Sequence, residues 1–487
     1  MFLGLDLGTT NVKALIVDHG GRVAARASAP VERYCTPGGG VEQDIDEIWQ
    51  ATCDCLRRAA GQVESRTIRA IGISSQGGAL QLLDSDEKPV SRVISWLDGR
   101  GRPFDRKLVE EVGIDWLIEH LGCNLSSMTL GQMLRLAAQE PRLLAAAAHV
   151  AFVGDVIVGR LCGRRAHDPT SLSIGMLYNP WRQRPDGDML QRLGIREDQL
   201  PDLLPATTPA GGLLPQTAEA TGLPPGIPVS PAVHDQYAAS TGAGAVAEGD
   251  VCLGTGTAWV LVAGTNRLVR PVTPSTFIAP HPVAGLNGQM LSMTNGGSAV
   301  DWVLELTNRR EWSSEKIDEA LAAVPAGSDG LCFWPLLSPG SSGIAFGQPG
   351  GRIDGLHLPH TSNHLLRAVI EGLACELARH LQRLLAAGVP VRRLVLCGSA
   401  AGSDVTPQVV ADVTRRPVAC IAESSISAFG ASVIARAMIE PEAELGALAR
   451  RLASERRTVQ PSADAAVYQE LFQRYQGAFD PAAGSAE

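Results

Sequence analysis

The same short phrase stands twice in this chain. Near the start, Leu7-Gly8-Thr9-Thr10 is followed by the apolar positions Val12, Ala14, Leu15, Ile16 and Val17. In the second half, Leu253-Gly254-Thr255-Gly256 is followed by Ala258, Val260, Leu261 and Val262. Gly8 and Gly254 are separated by about half of the 487 residues. Each phrase reads as strand, tight turn, strand. Glycine lets a backbone come close to a ligand, and threonine adds a hydroxyl beside the exposed amides. Two such turns, one per half, suit a polyphosphate gripped from both sides of a cleft. Two unrelated hairpins would leave the same local text, because Gly-Thr turns are common.

A chain this long exceeds one ordinary core, so two large domains are expected. Net charge is −9 with no long basic run, which argues against nucleic acid or an anionic membrane as partner. Asp6 interrupts the first apolar run and no basic stretch precedes it, so no secretory signal is expected. No apolar stretch is long enough to span a bilayer. The ten cysteines are scattered without a Cys-x-x-Cys spacing, which speaks against zinc and for reduced thiols in the cytoplasm.

Residues 2–7 and 12–18 read as paired strands. A helix is expected from Asp44 to about Ala60, with Ile45, Ile48, Trp49, Thr52 and Leu56 on one face. Strands are expected over Ile68 to Ser74, Val90 to Trp96 and Ile227 to Val233, and an Ala-rich helix over Leu130 to Ala148. Residues 179–226 are rich in Pro and Gly and read as extended connections with short helices. The longest helix should run from a cap at Ser362 to a stop at Gly388, burying Leu365, Val369, Leu373, Leu377, Leu381 and Leu384. Arg393 to Cys397 reads as a strand entering Gly398-Ser399-Ala400, and residues 481–487 as a frayed end.

Asp6 stands just before the first turn, where a carboxylate suits an outer-sphere magnesium ligand. Lys13 is long enough to reach a phosphate. Neither G-x-x-x-x-G-K-[ST] nor a G-x-G-x-x-G between strand and helix is present, so a nucleotide site here is neither a P-loop nor a dinucleotide site. Asp235 ends an apolar strand before Gln236 and small residues. It can face a cleft and accept a hydroxyl proton, or simply cap a helix. Asp98 and Arg100 can hydrogen-bond a polyol while Trp96 packs on its carbons; an ordinary surface turn would read the same way. His234 reads as structural. His357, His360 and His364 have no neighbouring carboxylate or cysteine in sequence to complete a metal site.

Taken together, these residues resemble the FGGY family of carbohydrate kinases over residues 2–438. Asp6 through Lys13, including Thr9, Thr10 and Asn11, looks like the family's first phosphate loop, and Gly254-Thr255-Gly256 like its second. Gly351-Arg352-Ile353-Asp354-Gly355-Leu356, then His364-Leu365 and Ala368-Val369-Ile370-Glu371, fits its C-terminal signature. The stretch Asn295 to Trp302, with Gly297 and Asp301, and Gly398-Ser399-Ala400 resemble its nucleotide-holding segments. Asp235-Gln236 looks like the catalytic aspartate and its neighbour. Ile94 to Arg100 and Asp168 to Ser171 match its sugar-side segments.

The resemblance implies an α/β chain with the duplicated, two-lobed fold of actin and hexokinase, built on ribonuclease H-like halves. Residues 1–243 would form a sugar-binding lobe with the first phosphate loop, 244–440 a nucleotide-binding lobe, and 441–487 a helical tail. It implies ATP and Mg2+, with Asp6 and Asp235 on the metal side, Asp235 as base, and Gln76, Gly77, Gly78, Trp96, Asp98, Arg100 and Gln236 around the sugar. A cytoplasmic enzyme follows, and a homodimer is compatible with it. Xylulokinases are the nearest members, with D-xylulose as acceptor; gluconate, glycerol or another polyol is the alternative, and an actin- or chaperone-like clamp a further one. The chain departs from them at Gly77-Gly78, where xylulokinases carry Met-His. Those glycines are expected to leave the pocket short of an apolar wall and an imidazole. It departs again at Ala400-Ala401-Gly402, which lacks a third glycine and a lysine, and at Met133-Leu134-Arg135-Leu136, which lacks a Lys and a Trp.

Overall fold

The structure, a computed structural model, describes residues 1–273, 275–293, 295–337 and 350–479. The frayed end expected over 481–487 lies outside them.

One plan is used twice. In the first half, β1 (Phe2–Leu7) pairs antiparallel with β2 (Asn11–Val17), which pairs with β3 (Val23–Pro30). On the other side of β1, β4 (Ile71–Ser75) runs parallel, followed by the parallel β5 (Pro228–His234). In the second half, β6 (Asp250–Thr255) pairs antiparallel with β7 (Trp259–Thr265). Antiparallel β8 (Thr276–Pro280) and β9 (Asn287–Ser292) extend that side. Parallel β10 (Arg393–Gly398) and β11 (Val418–Ile421) continue beyond β6. Both repeated phrases are therefore hairpin turns at the ends of equivalent central strands.

The halves are joined by an exchange of helices. Helix α1 (Ile45–Ala60) packs on the first sheet through its apolar stripe, with Asp44 as cap. After β5 comes α2 (Asp235–Gly242), which reaches β6 and β7 of the second sheet. Three further helices are α3 (Gly297–Leu306), α4 (Ser362–Ala386) and α5 (Ile426–Ile439). Although α5 follows β11, it lies on β1 and β4 of the first sheet. Backbone touches backbone there: a Cβ on Gly4 would stand 1.8 Å from the Ala428 carbonyl oxygen, and one on Gly72 1.9 Å from that of Ala431. Helices α2 and α5 cross as tightly at Gly430, 1.8 Å from the Ala238 oxygen by the same measure.

The expected helix over 130–148 is two helices, Thr129–Gln139 and Pro141–Ala146. Pro141 has no N–H to continue the first and opens the second. The strand expected over 90–96 shrinks to Val93–Ile94, which leaves Trp96 in the following turn. The strand expected from Ile68 begins at Ile71. Helix α4 stops before Gly388, at φ +74°, but its cap is Thr361 rather than Ser362. Val369, Leu373, Leu377, Leu381 and Leu384 of the predicted stripe are buried while Leu365 is only half-buried, and the helix also encloses Arg367, Glu371, Glu376, Arg379 and His380.

Beyond residue 440 the chain is not wholly helical. β12 (Glu455–Val459) adds an antiparallel edge to β11, and α6 (Ala465–Gly477) docks on the second lobe. Its Tyr468 and Tyr475 hydroxyls each donate at 2.9 Å to the buried carboxylates of Glu371 and Glu376. Among the described residues no helix is long and apolar enough to cross a membrane.

Candidate active site

The two turns stand at the ends of the equivalent central strands β1 and β6. Gly8 N–H donates to the Asn11 carbonyl at 3.1 Å, closing the first hairpin with Thr10 exposed at its tip. Thr9 is tied sideways: its hydroxyl donates to Gln76 Oε1 at 3.0 Å and accepts from Trp96 Nε1 at 2.9 Å. Gln76 in turn donates to Gln43 Oε1 at 3.1 Å, and Gln43 Nε2 returns to the Thr9 carbonyl at 3.0 Å. This closed ring joins the expected first phosphate loop to two residues expected around the sugar. Gln43 was not singled out from sequence; it arrives from a small sheet whose pairing is non-local. Trp96 leaves 40% of its surface open, as a stacking wall requires.

Asp98 differs from the expectation of a free sugar acceptor. Its carboxylate accepts from Val41 N–H at 2.9 Å, Gln132 Nε2 at 3.0 Å and the backbone and guanidinium of Arg100. Arg100 is also held by Glu42 at 2.7 Å. Burial works to raise the Asp98 carboxyl, but the Arg100 and backbone hydrogen bonds outweigh it and hold the group below its ordinary value. Asp98 therefore stiffens the pocket wall and orients Arg100. Neither Glu42 nor Gln132 was legible from sequence.

The segment Asp168–Ser171 is buried too. Asp168 caps the helix Pro169–Ile174, and Thr170 Oγ1 donates to Asp168 at 2.5 Å while accepting His234 N–H at 3.0 Å. Ser171 Oγ donates to the Ala232 carbonyl at 3.1 Å. These bonds fix the end of β5, which carries the candidate base.

Asp235 is the first residue of α2 with 29% of its side chain exposed. The helix-capping role falls to His234, whose Nδ1 accepts the Gln236 N–H at 3.4 Å. Desolvation pushes Asp235 up to about 6, against hydrogen bonds from Gln236. Asp6 is also pushed up to about 6, first by desolvation and then by the charge of Asp235, against its bond from Ser74 (2.8 Å) and the charge of Lys13. The charge of Asp235 thus raises the proton affinity of Asp6, and two carboxylates near enough to interact form a donor set suited to a divalent cation. Gln236 reaches the other lobe: its Oε1 lies 3.0 Å from the place a Cβ on Gly254 would take.

The second loop is braced by the predicted nucleotide segments. Thr255 Oγ1 donates to the Cys397 carbonyl at 2.7 Å and accepts Ala400 N–H at 3.1 Å, and Ser399 Oγ donates to the Thr255 carbonyl at 2.9 Å. Gly297 N–H donates to the Gly256 carbonyl at 2.9 Å. Gly398 has φ +90°, and a Cβ there would meet the Thr255 oxygen at 2.9 Å. Gly254, Thr255, Gly256, Gly297 and Gly398–Ala400 thus converge, while Asp301 stands exposed one turn along α3.

The room expected at Gly77-Gly78 is taken. A Cβ on Gly77 would lie 2.4 Å from His234 Cδ2 and 2.7 Å from Ile174 Cγ2; one on Gly78, at φ +69°, would lie 2.7 Å from Met128 Sδ. An imidazole and a thioether from elsewhere in the chain occupy that space. The signature stretch around 351–371 is exposed over most of 351–360 and buried from Leu366 onward. His364 Nδ1 accepts Thr361 N–H at 3.1 Å at the start of α4, and its Nε2 lies 3.1 Å from Asp329. Among the described residues the histidines of this stretch form no metal-ligand cluster.

Residues 1–242 match the N-terminal domain of the FGGY family of carbohydrate kinases, and residues 250–439 match its C-terminal domain. The chain belongs to this family. It is an ATP-dependent carbohydrate kinase with the two-domain fold of the actin and hexokinase type. It is 26% identical to a xylulose kinase of Bacillus subtilis over 435 residues, covering 89% of this chain and 87% of that one. It is 29% identical to an L-xylulose/3-keto-L-gulonate kinase of Escherichia coli over 490 residues, covering 98% and 96%. The crystal structure of a xylulose kinase from Rhodospirillum rubrum superposes with a TM-score of 0.89 at 26% identity, covering 98% of both chains. L-fuculokinases, a glycerol kinase and a gluconokinase match at 25–28% identity, so relatedness alone does not single out the sugar.

A kinase with this pair of carboxylates should lose activity in acid. As the candidate base, Asp235 would have to be unprotonated, and burial raises its proton affinity. We expect kcat/KM to be flat above about pH 7 and to fall about tenfold per unit below an apparent pKa near 6, a value shared by the Asp6–Asp235 pair. A profile still flat at pH 5 would contradict this.

Proposed function

We propose that this kinase phosphorylates the terminal hydroxyl of a small linear sugar, with D-xylulose as acceptor and D-xylulose 5-phosphate as product. The observation that carries the reading is the position of Asp235. It opens α2 directly after a strand end braced by Asp168 and Thr170, its charge is felt by Asp6, and it is followed by a glutamine that reaches the Gly254 loop. Asp235 accepts the hydroxyl proton. The oxygen bonds to the γ-phosphorus as the bond to ADP breaks. Bound magnesium and ATP supply the electrophilic phosphorus and neutralise charge on its oxygens. Asp6, oriented by Ser74, and Asp235 would hold the ion; Thr9, Thr10, Asn11, Lys13 and the Gly254–Gly256 turn would cradle phosphates with backbone amides and hydroxyls. Asp301 would serve the nucleotide from α3. Gln76, Trp96 and Arg100 would position the sugar, beside a wall in which Gly77 and Gly78 pack under His234 and Met128. The Trp96–Arg100 segment and the xylulose kinase relatives support a pentulose; gluconate, glycerol or another polyol is the alternative. We place the reaction in the cytoplasm.

The loops sit in different lobes, so binding should close them. Sugar with a non-hydrolysable ATP analogue should reduce the radius of gyration in small-angle scattering more than either ligand alone. In the same preparation, phosphate release from ATP should be slow until sugar is added, because the open cleft leaves the catalytic groups apart. An unchanged radius with a fast, sugar-independent ATPase would point instead to a nucleotide-driven clamp.

A further inference from the structure

His234 stands between β5 and the base, and nothing in the reaction outlined above uses its ring. Its side chain is 5% exposed. Its backbone N–H is pinned to Thr170 Oγ1 at 3.0 Å, and Thr170 is pinned to Asp168, so the ring's origin is fixed. Nδ1 accepts the Gln236 N–H at 3.4 Å. An accepting Nδ1 carries no hydrogen, so this bond assigns the ring's hydrogen to Nε2. Nε2 lies 3.5 Å from Asp235 Oδ1, a separation that a small ring rotation turns into a hydrogen bond. The same edge of the ring fills the space above residue 77: Cδ2 and Nε2 would lie 2.4 and 2.6 Å from a Cβ there. Tyr237 presents its ring edge-on at 6.1 Å, and Ile174 closes the other side of Gly77.

We propose that His234 is a positioning residue for the base: its Nε2–H holds Oδ1 of Asp235, leaving the second oxygen to receive the proton, and Gly77 lacks a side chain because this ring occupies its space. The proposal rests on the reading of Asp235 as base. It adds a ring donor to the hydrogen bonds that Gln236 gives the same carboxylate, and together they set its plane before the sugar arrives.

Two measurements separate this proposal from the reading it rests on. The first needs no turnover. In 15N-histidine-labelled protein, the long-range 1H–15N pattern that disappears in His234→Gln should be that of an Nε2–H tautomer. An Nδ1–H pattern would overturn the proposal even in a fully active kinase. The second is kinetic. His234→Leu keeps bulk without a donor and should lower kcat about 10- to 100-fold, with KM for ATP within about twofold. His234→Gln places an amide donor near the Nε2 position and should recover most of that loss. Gly77→Ala should cost more in the wild-type background than beside His234→Ala. Wild-type kcat in folded His234→Leu, or an equal cost of Gly77→Ala in both backgrounds, would overturn the proposal. Wild-type protein with no sugar-dependent turnover would count against the kinase reading, and the tautomer would still decide whether the donor exists.

Discussion

Asp235→Asn is expected to lower kcat by roughly 10²–10⁴-fold while the protein stays folded and binds ATP. The amide is nearly isosteric and can remain in the cleft, but it cannot take a proton from the acceptor hydroxyl. The effect should fall on kcat more than on KM, because the lost interaction develops in the transition state. Folding should improve. Desolvation raises the folded-state proton affinity of Asp235 from 3.8 to about 6. Its contribution to stability is therefore fully present below about pH 3.8 and is lost as pH rises through about 6. At pH 7 the ionised carboxylate costs roughly 1–3 kcal/mol, which the neutral amide avoids. A variant that melts later at pH 7 and barely turns over is the expected result. Near-normal turnover in folded protein would remove Asp235 from the mechanism.

Glu371→Ala should do the opposite, costing stability and sparing chemistry. Glu371 closes the most family-specific stretch of the sequence, yet it sits 1% exposed inside the second lobe. It accepts from Gly327 N–H (3.0 Å), Ser328 Oγ (2.8 Å), Arg367 Nε (3.0 Å) and Tyr468 OH (2.9 Å). Removing it strands a buried guanidinium and three further donors, and loosens α6. Breaking one side of such a pair costs about 3–5 kcal/mol. The urea midpoint should drop sharply, while kcat per folded molecule stays within a few-fold of wild type. A variant of unchanged stability with collapsed kcat would show that the signature acts in catalysis.

What could be read in the sequence was what is local. The two hairpin turns, α1 and α4 carry their own periodicity and caps, and the loops at Gly254 and Gly398 carry their glycines. What could not be read depends on pairing between distant segments. Gln43, Glu42 and Gln132 have no motif of their own; their part in the site exists only once the small sheet and the helix Thr129–Gln139 bring them to Thr9, Asp98 and Arg100. The refilling of the Gly77-Gly78 space by His234 and Met128 is the same kind of event, and it turned an expected hole into a packed wall. The exchange of α5 onto the first sheet left one trace: Gly4 and Gly72 inside apolar strands, where glycine marks a close backbone approach. Pro141 was visible in the sequence, and it breaks the helix expected over 130–148 in spite of the alanine-rich run around it.

The account stands or falls on ATP-dependent, sugar-dependent turnover. The direct measurement is ADP release by the full chain with magnesium and ATP, with no acceptor and then with D-xylulose, L-xylulose, gluconate, glycerol and pentitols, compared by kcat/KM. The account predicts slow release without acceptor and the highest kcat/KM with D-xylulose, with phosphate on the terminal carbon of the product. A non-pentose leading by more than tenfold would contradict the substrate, and release indifferent to every acceptor would contradict the phosphotransfer itself.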